Sequence, residues 1–293
     1  MTDSAKDFQK KARTATLVAL SVNTILGLLK IISGLFISSM SLIADGFDSL
    51  MDLFMGMFAF LGATIAQKPA DEDHLYGHEK IEMIYLLLII GIILITGLGI
   101  FLQALDRFIN RIELQFSTLG LLIIFISILG KFLISIFVYQ TARQINSTSL
   151  KATALNYATD IFSSFLVLLA LIGAYINIGI IDSLAAIVIA LLITYGAIKM
   201  LNESLNILLD RAPSEMILDQ IYELATSIKG VREVHKLRAR IIGNRIVGDM
   251  HVLVDPNLTV QEGHDISDNI LNILQRELEA NIVVHLEPYK EKG

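Results

Sequence analysis

The chain contains no cysteine, and only 18% of its 293 residues are charged. The first absence excludes disulfides and thiolate metal sites. The second sets the chain apart from soluble proteins, in which about 25% of residues are Asp, Glu, Lys or Arg. The net charge of −6 comes with no basic tract, so nothing points to a nucleic-acid partner. The first apolar run has no short core followed by a cleavage site, so it does not read as a signal peptide.

What fills the chain is apolar: 54% of residues are hydrophobic and the mean hydropathy is +0.64. A helix needs about 20 residues to cross a bilayer. Six runs suffice, at 14–38, 40–66, 82–105, 117–140, 150–174 and 179–201. The expected organisation is a short N-terminal segment, 1–13, an all-α membrane domain of six transmembrane helices, 14–203, and a soluble tail, 204–293. An even number of spans puts both ends on one side. Lys6, Lys10, Lys11 and Arg13 precede the first span, Lys68 and Lys80 lie in the loop at 67–81, and Arg143 lies in the loop at 141–149. The opposite connections near 39 and 175–179 carry no Lys or Arg, although the one near 106–116 has Arg107 and Arg111. The bias places both termini in the cytoplasm.

The texture changes after about residue 203. "LDRAPSEMILDQIYELATSIKGV" is an amphipathic helix with Pro213 at its start and Gly230 at its end. "REVHKLRARI" and "RIVGDMHVLVD" alternate apolar and polar around "IGN", which reads as a hairpin. "TVQEGHDISDNILNILQREL" is a second helix and "NIVVHLEP" a last strand. The result is an α+β tail in the order α-β-β-α-β, small enough for a partner surface or bound ions to help hold it.

The second span contains a fault: "SLIADGFDSLMDLF" places Asp45, Asp48 and Asp52 where hydrocarbon is expected. Asp48 and Asp52 are four residues apart, which puts them about 6 Å apart along the axis on one helix face. The fifth span offers a matching pair, Asn156 and Asp160, in "LKATALNYATDIFSS". A lone carboxylate in hydrocarbon costs a few kcal/mol or more. Three carboxylates and a carboxamide pooled between two helices become tolerable once a cation lies among them, and four oxygen donors suit a divalent metal. The competing reading is a polar seam of caps and mutual hydrogen bonds. Asp45 lies off the Asp48/Asp52 face and reads as a structural or entry-path acid. Lys30 and Lys131, also inside apolar runs, read as paired structural cations. The glycines of "GIILITGLG" read as close helix contacts.

The six histidines all lie outside the proposed spans. In "PADEDHLYGHEK", Asp71, His74 and His78 are spaced so that two imidazoles and a carboxylate can meet on one ion. The tail holds His235 and His251 on the hairpin, His264 at the start of the second helix, and His285 with Glu287 on one face of the last strand.

On these residues the chain resembles the cation diffusion facilitator family, and most closely its bacterial YiiP-type divalent-cation/proton antiporters, over almost its whole length. "DSLMD" and "NYATD" fit the family's paired motifs, and the resemblance implies that Asp48, Asp52, Asn156 and Asp160 form the transport site. It further implies a loop metal site at Asp71, His74 and His78, and a binuclear site in a metallochaperone-like tail drawn from His235, His251 and His285, with His264 and Glu287 as further candidates. Lys80 and Asp210 stand where the family has an interlocking salt bridge at the interface of a homodimer. Zinc-transporting members usually have histidine where this chain has Asn156. A neutral amide oxygen in place of an imidazole disfavours zinc relative to manganese, and the family's manganese exporters have asparagine here. The expected cargo is Mn²⁺, with Zn²⁺ or Fe²⁺ as alternatives. Asn156 cannot titrate, so any proton exchange must use Asp48, Asp52 and Asp160, where protons and metal would compete for the same oxygens. The resemblance implies a secondary active transporter, not an enzyme, working by alternating access and exporting the ion across the cytoplasmic membrane.

Two rivals differ in class. A membrane aspartyl protease would show a Gly-x-Gly-Asp pattern, which is missing at these acids. A metal-sensing membrane scaffold would keep the tail histidines but would have no need for Asp48, Asp52, Asn156 and Asp160.

Overall fold

The computed structural model describes the backbone of residues 3–66, 68, 71–75, 77–145, 147–242 and 245–290. Gly243 and Asn244, in the turn of the expected hairpin, lie outside the described residues, as do the side chains of Lys6 and Lys10. The chain divides into two compact units, one comprising residues 1–62 and 85–201, the other 63–84 and 202–293.

The first unit is helical. Its elements are α1 (Asp3–Ile37), α2 (Met40–Ala66), α3 (Ile81–Ile109), α4 (Thr118–Gln144), α5 (Thr148–Tyr175) and α6 (Ile181–Leu208), several of which run past the unit's limits. Among the described residues, five of them, α1 and α3–α6, are long and apolar enough to cross a membrane. The sixth, α2, has 27 residues and holds the three aspartates. α1 is a single helix through the segment expected to precede the first span, because backbone hydrogen bonding continues where the apolar run has stopped. Large apolar side chains face outwards, among them Phe36, Ile95, Phe125 and Tyr195. A water-soluble surface rarely presents such a band; a lipid-facing one must.

Glycines set the spacing of α1 and α2. A Cβ on Gly46 would lie 2.9 Å from the backbone N of Ile31 and 3.0 Å from the carbonyl O of Gly27, and one on Gly34 would lie 2.9 Å from the backbone N of Ile43. The two backbones therefore approach as only glycine permits. This close packing brings the polar side chains of α1 onto the acidic face of α2. Of the glycines in 91–99, a Cβ on Gly97 would lie 2.8 Å from Thr194 Oγ1, whereas one on Gly91 or Gly99 would meet nothing within 4 Å among the described residues.

The N-terminus of α2 is capped from another helix. Asp182, buried in the first turn of α6, accepts from the Met40 and Ser41 backbone N–H groups and from the Ser39 and Ser41 hydroxyls. A buried carboxylate at a helix N-terminus meets orphan donors and the positive end of the macrodipole.

The second unit contains α7 (Glu215–Thr226), β1 (Glu233–Ile242), β2 (Arg245–Val254), α8 (Val260–Leu278) and β3 (Ala280–Pro288). The strands lie in the order β1-β2-β3, with β1 antiparallel and β3 parallel to β2. This is the α-β-β-α-β order expected of the tail. A capping box between Thr259 and Glu262 fixes the start of α8. The backbone N–H of Thr259 donates to Glu262 and holds its carboxyl below the usual range. Met250, Val252, Ile282, Ile221, Ile270 and Leu274 form the core between the sheet and the two helices.

Candidate metal centres

In the helical unit, α2 and α5 bring the four expected residues together. Asn156 Nδ2 donates to Asp52 Oδ1 at 3.3 Å. Asp52 lies within hydrogen-bonding range of Asp160 and Coulombic range of Asp48, and Asp48 lies within Coulombic range of Asp160. Carboxylates this close repel one another unless a proton or a cation lies between them. Asn156 is exposed, so the cluster has an open side.

Two further side chains complete the cluster. Asn23, buried in α1, donates from Nδ2 to Asp52 Oδ2 at 3.0 Å and to the Ser49 carbonyl at 3.1 Å. Lys131, on α4 and 0% exposed, places Nζ 3.2 Å from Asp160 Oδ2, but off the axis of a hydrogen bond. Asp45 lies apart from these ligand candidates. It pairs with Lys30 at 2.8 Å, both side chains 0% exposed, and accepts from Ser164 Oγ at 2.9 Å. Lys30 also donates to Ser49 Oγ and Ser164 Oγ. This is a buried structural pair held through Asp45 Oδ2, in keeping with the reading of Asp45 and Lys30 from the sequence; Asp45 Oδ1 has no hydrogen-bond partner among the described residues.

In the second unit, the loop residues meet as their spacing implied. His74 Nδ1 and His78 Nε2 each lie 3.2 Å from an oxygen of Asp71, and the two rings are 4.5 Å apart. The His74 backbone N–H donates to Asp71 Oδ1 at 2.7 Å, which holds that carboxyl below its usual range and keeps it available as an anion. The tail residues meet across the sheet. Register pairs His235 with His251 and His251 with His285, so three histidines form one row over β1, β2 and β3. Glu287, two residues after His285 on β3, lies beside that row, 3.0 Å from His235 Nε2, 2.7 Å from His251 Nδ1 and 3.8 Å from His285 Nε2. Hydrogen bonding from His251, then from His235, holds Glu287 below the usual carboxylate range. A bulge follows His235, with Lys236 at φ +50, and it re-aims the strand beside the row. In each group, donor atoms of two histidines and one carboxylate lie within 4.8 Å of one another, which fits one small cation. His264 is not brought into the row: α8 turns it towards Asp268, 3.4 Å away. Lys80 and Asp210 form an ion pair at 2.8 Å, and Arg240 joins them at 2.6 Å. Donation from Lys80 in particular lowers the Asp210 pKa.

Residues 16–209 match the family described as the cation efflux transmembrane domain, and residues 213–289 match the cation efflux protein cytoplasmic domain. The chain belongs to the cation diffusion facilitators. It is similar to an uncharacterised transporter of Methanocaldococcus jannaschii, MJ0449, at 32% identity over 86% of this chain and 89% of that one. It resembles the manganese efflux system protein MneS of Bacillus subtilis at 29% identity over 98% and 99% of the two chains. The cation-efflux pump FieF of Cronobacter sakazakii is 27% identical over 96% of this chain and 94% of that one.

For a cation diffusion facilitator with its acids on α2 and α5, the sequence reading missed Asn23, the placing of Lys131 at Asp160, and the Asp182 cap. Asn23 and Asp182 are polar residues in or beside apolar runs, and that is their only signal in a single sequence.

Proposed function

We propose that this cation diffusion facilitator is a secondary active exporter that exchanges a divalent cation for protons across the cytoplasmic membrane, with both termini in the cytoplasm. Mn²⁺ is the favoured cargo over Zn²⁺ and Fe²⁺. The observation that carries the reading is the meeting of Asp48 and Asp52 on α2 with Asn156 and Asp160 on α5, joined through the Asn156–Asp52 contact at 3.3 Å. Three carboxylates and an amide oxygen make a hard, all-oxygen donor set, and hard donors favour manganese over zinc more than an imidazole would. The likeness to MneS supports manganese; the likeness to FieF supports cation efflux more broadly.

Asp52 is held by amides on both oxygens, from Asn23 and Asn156. An arriving ion takes over Asn156, whose amide turns its oxygen inward, while Asn23 keeps Asp52 in place. As the ion leaves, protons return to the carboxylates, so cargo and protons exclude each other at the same oxygens. Alternating access exposes the site first to one side and then to the other. The protein works as a homodimer, with the Lys80–Asp210 pair at its interlock. The loop and tail histidine groups bind metal.

The test is uptake of Mn²⁺, Zn²⁺ and Fe²⁺ in competition by proteoliposomes loaded with a pH-sensitive dye. The expected result is preferred Mn²⁺ movement with opposed proton movement, both lost in Asp48→Asn and Asp160→Asn, and preference moving towards Zn²⁺ in Asn156→His. Absence of uptake of all three ions, or uptake without proton movement, would overturn it.

A further inference from the structure

The exporter mechanism above gives Lys131 no task, yet its ammonium is among the most fully buried charges in the helical unit. Lys30 shows what a settled buried lysine looks like: a carboxylate oxygen at 2.8 Å and two hydroxyls at 3.3 and 3.1 Å. Lys131 has no such set. Asp160 Oδ2 lies 3.2 Å away and out of line, and among the described residues both atoms lack a hydrogen-bond partner. The Lys131 ammonium is held by the charge of the surrounding carboxylates, and no aligned hydrogen bond fixes it to one position. It also lies within Coulombic range of Asp45, Asp48 and Asp52 as well as Asp160.

The charges of this cluster are informative. Counted as ionised, Asp45, Asp48, Asp52 and Asp160 give four negative charges, and Lys30 and Lys131 give two positive ones. The remainder is two negative charges, which one divalent cation neutralises. Without Lys131 the same ion would leave a negative remainder and would be held harder. A transport site must bind well enough to fill and weakly enough to empty.

We propose that Lys131 is the resident counter-cation of the transport site. Its ammonium neutralises Asp160 when no metal is present, and it yields that carboxylate when a metal arrives. The four-carbon stem of lysine is flexible and its charge compact, so the ammonium can withdraw without disturbing α4. Lys131 thereby sets the charge of the site to match one divalent ion and keeps the ion's affinity within a range that permits release. The proposal rests on the exporter reading above, as it needs Asp160 to be a ligand.

The experiment measures the KM and kcat of Mn²⁺ uptake by proteoliposomes containing the full chain as wild type, Lys131→Met, Lys131→Gln, Lys131→Arg or Asp160→Asn. The neutral variants are expected to lower KM by about tenfold or more, because one charge is lost from a poorly screened cluster, and to lower kcat as release slows. Lys131→Arg keeps the charge and should restore KM towards the wild-type value. A residue that only supports packing would instead raise KM or leave it alone in every variant. An unchanged or raised KM in whichever neutral variant elutes as the wild type does overturns the proposal. The exporter reading fails separately, if wild-type protein moves no ion or if Asp160→Asn moves it as well as wild type.

Discussion

Asn23 provides a sharp test of the transport site, because no ligand set drawn from motifs includes it. Its Nδ2 donates to Asp52 Oδ2 at 3.0 Å from a position only 1% exposed. The other acceptor, the Ser49 carbonyl, belongs to the backbone of α2, so the loss in Asn23→Ala falls chiefly on Asp52. The second amide on Asp52, from Asn156, is longer at 3.3 Å, and on the proposed mechanism it is the one that turns away to offer oxygen to an ion. On the proposed mechanism, Asn23 is the amide that holds Asp52 throughout the cycle. A hydrogen bond to a charged group contributes about 1.5–3 kcal/mol, which corresponds to about 10- to 150-fold in an equilibrium constant. Asn23→Ala should raise the KM for Mn²⁺ uptake by a factor in that range while the protein still purifies as the wild type does. Alanine is a good helix former, so α1 itself should not suffer. The assay is initial-rate uptake by proteoliposomes over a range of Mn²⁺ concentrations. A wild-type KM in Asn23→Ala would show that Asp52 needs no support from α1 and would refute the assignment.

Other outcomes follow from the packing and the tail. Lys30→Met leaves Asp45 buried and unpaired, which should cost about 3–5 kcal/mol; thermal unfolding in detergent should show a large loss, mostly recovered in Lys30→Met/Asp45→Leu. Gly46→Ala drives a Cβ to within 2.9 Å of the Ile31 backbone N, so it should abolish the folded peak in size exclusion, whereas Gly91→Ala, with nothing within 4 Å among the described residues, should elute normally. The Asp210 carboxyl is held below its ordinary value, first by donation from Lys80. Its stabilising contribution is thus fully present above the unfolded pKa of about 3.9 and is lost as pH falls through the lower folded value. Asp210→Asn should melt earlier than wild type near neutral pH, and the gap should close in acid.

The proposed transport ligands were legible as a cluster because helical periodicity needs only one helix at a time. Asp48 and Asp52, like Asn156 and Asp160, share a face by virtue of a four-residue spacing, and α2 and α5 present those faces to each other. Asn23 and the contact of Lys131 with Asp160 were not legible, because a near-continuous apolar run leaves the rotation of α1 and α4 undetermined. That rotation is set by the glycine contacts between α1 and α2 and by the packing of α4 against α1 and α5, which appear only in three dimensions. The tail divides in the same way. Strand alternation placed His285 and Glu287 on one face, and pairing register set His235, His251 and His285 side by side. His264 shares the composition of that group but sits on α8, where the helix directs it to Asp268. Hydropathy marked the apolar part of α1 and missed its N-terminal turns, since burial in lipid and helical hydrogen bonding need not end at the same residue.

The most direct measurement is anomalous X-ray scattering at the manganese edge from crystals of the full chain grown with Mn²⁺. The account predicts a peak bounded by Asp48 and Asp52 on one helix and Asn156 and Asp160 on another. Manganese found only at the loop or tail histidines, with those four side chains bare at a saturating concentration, would contradict it.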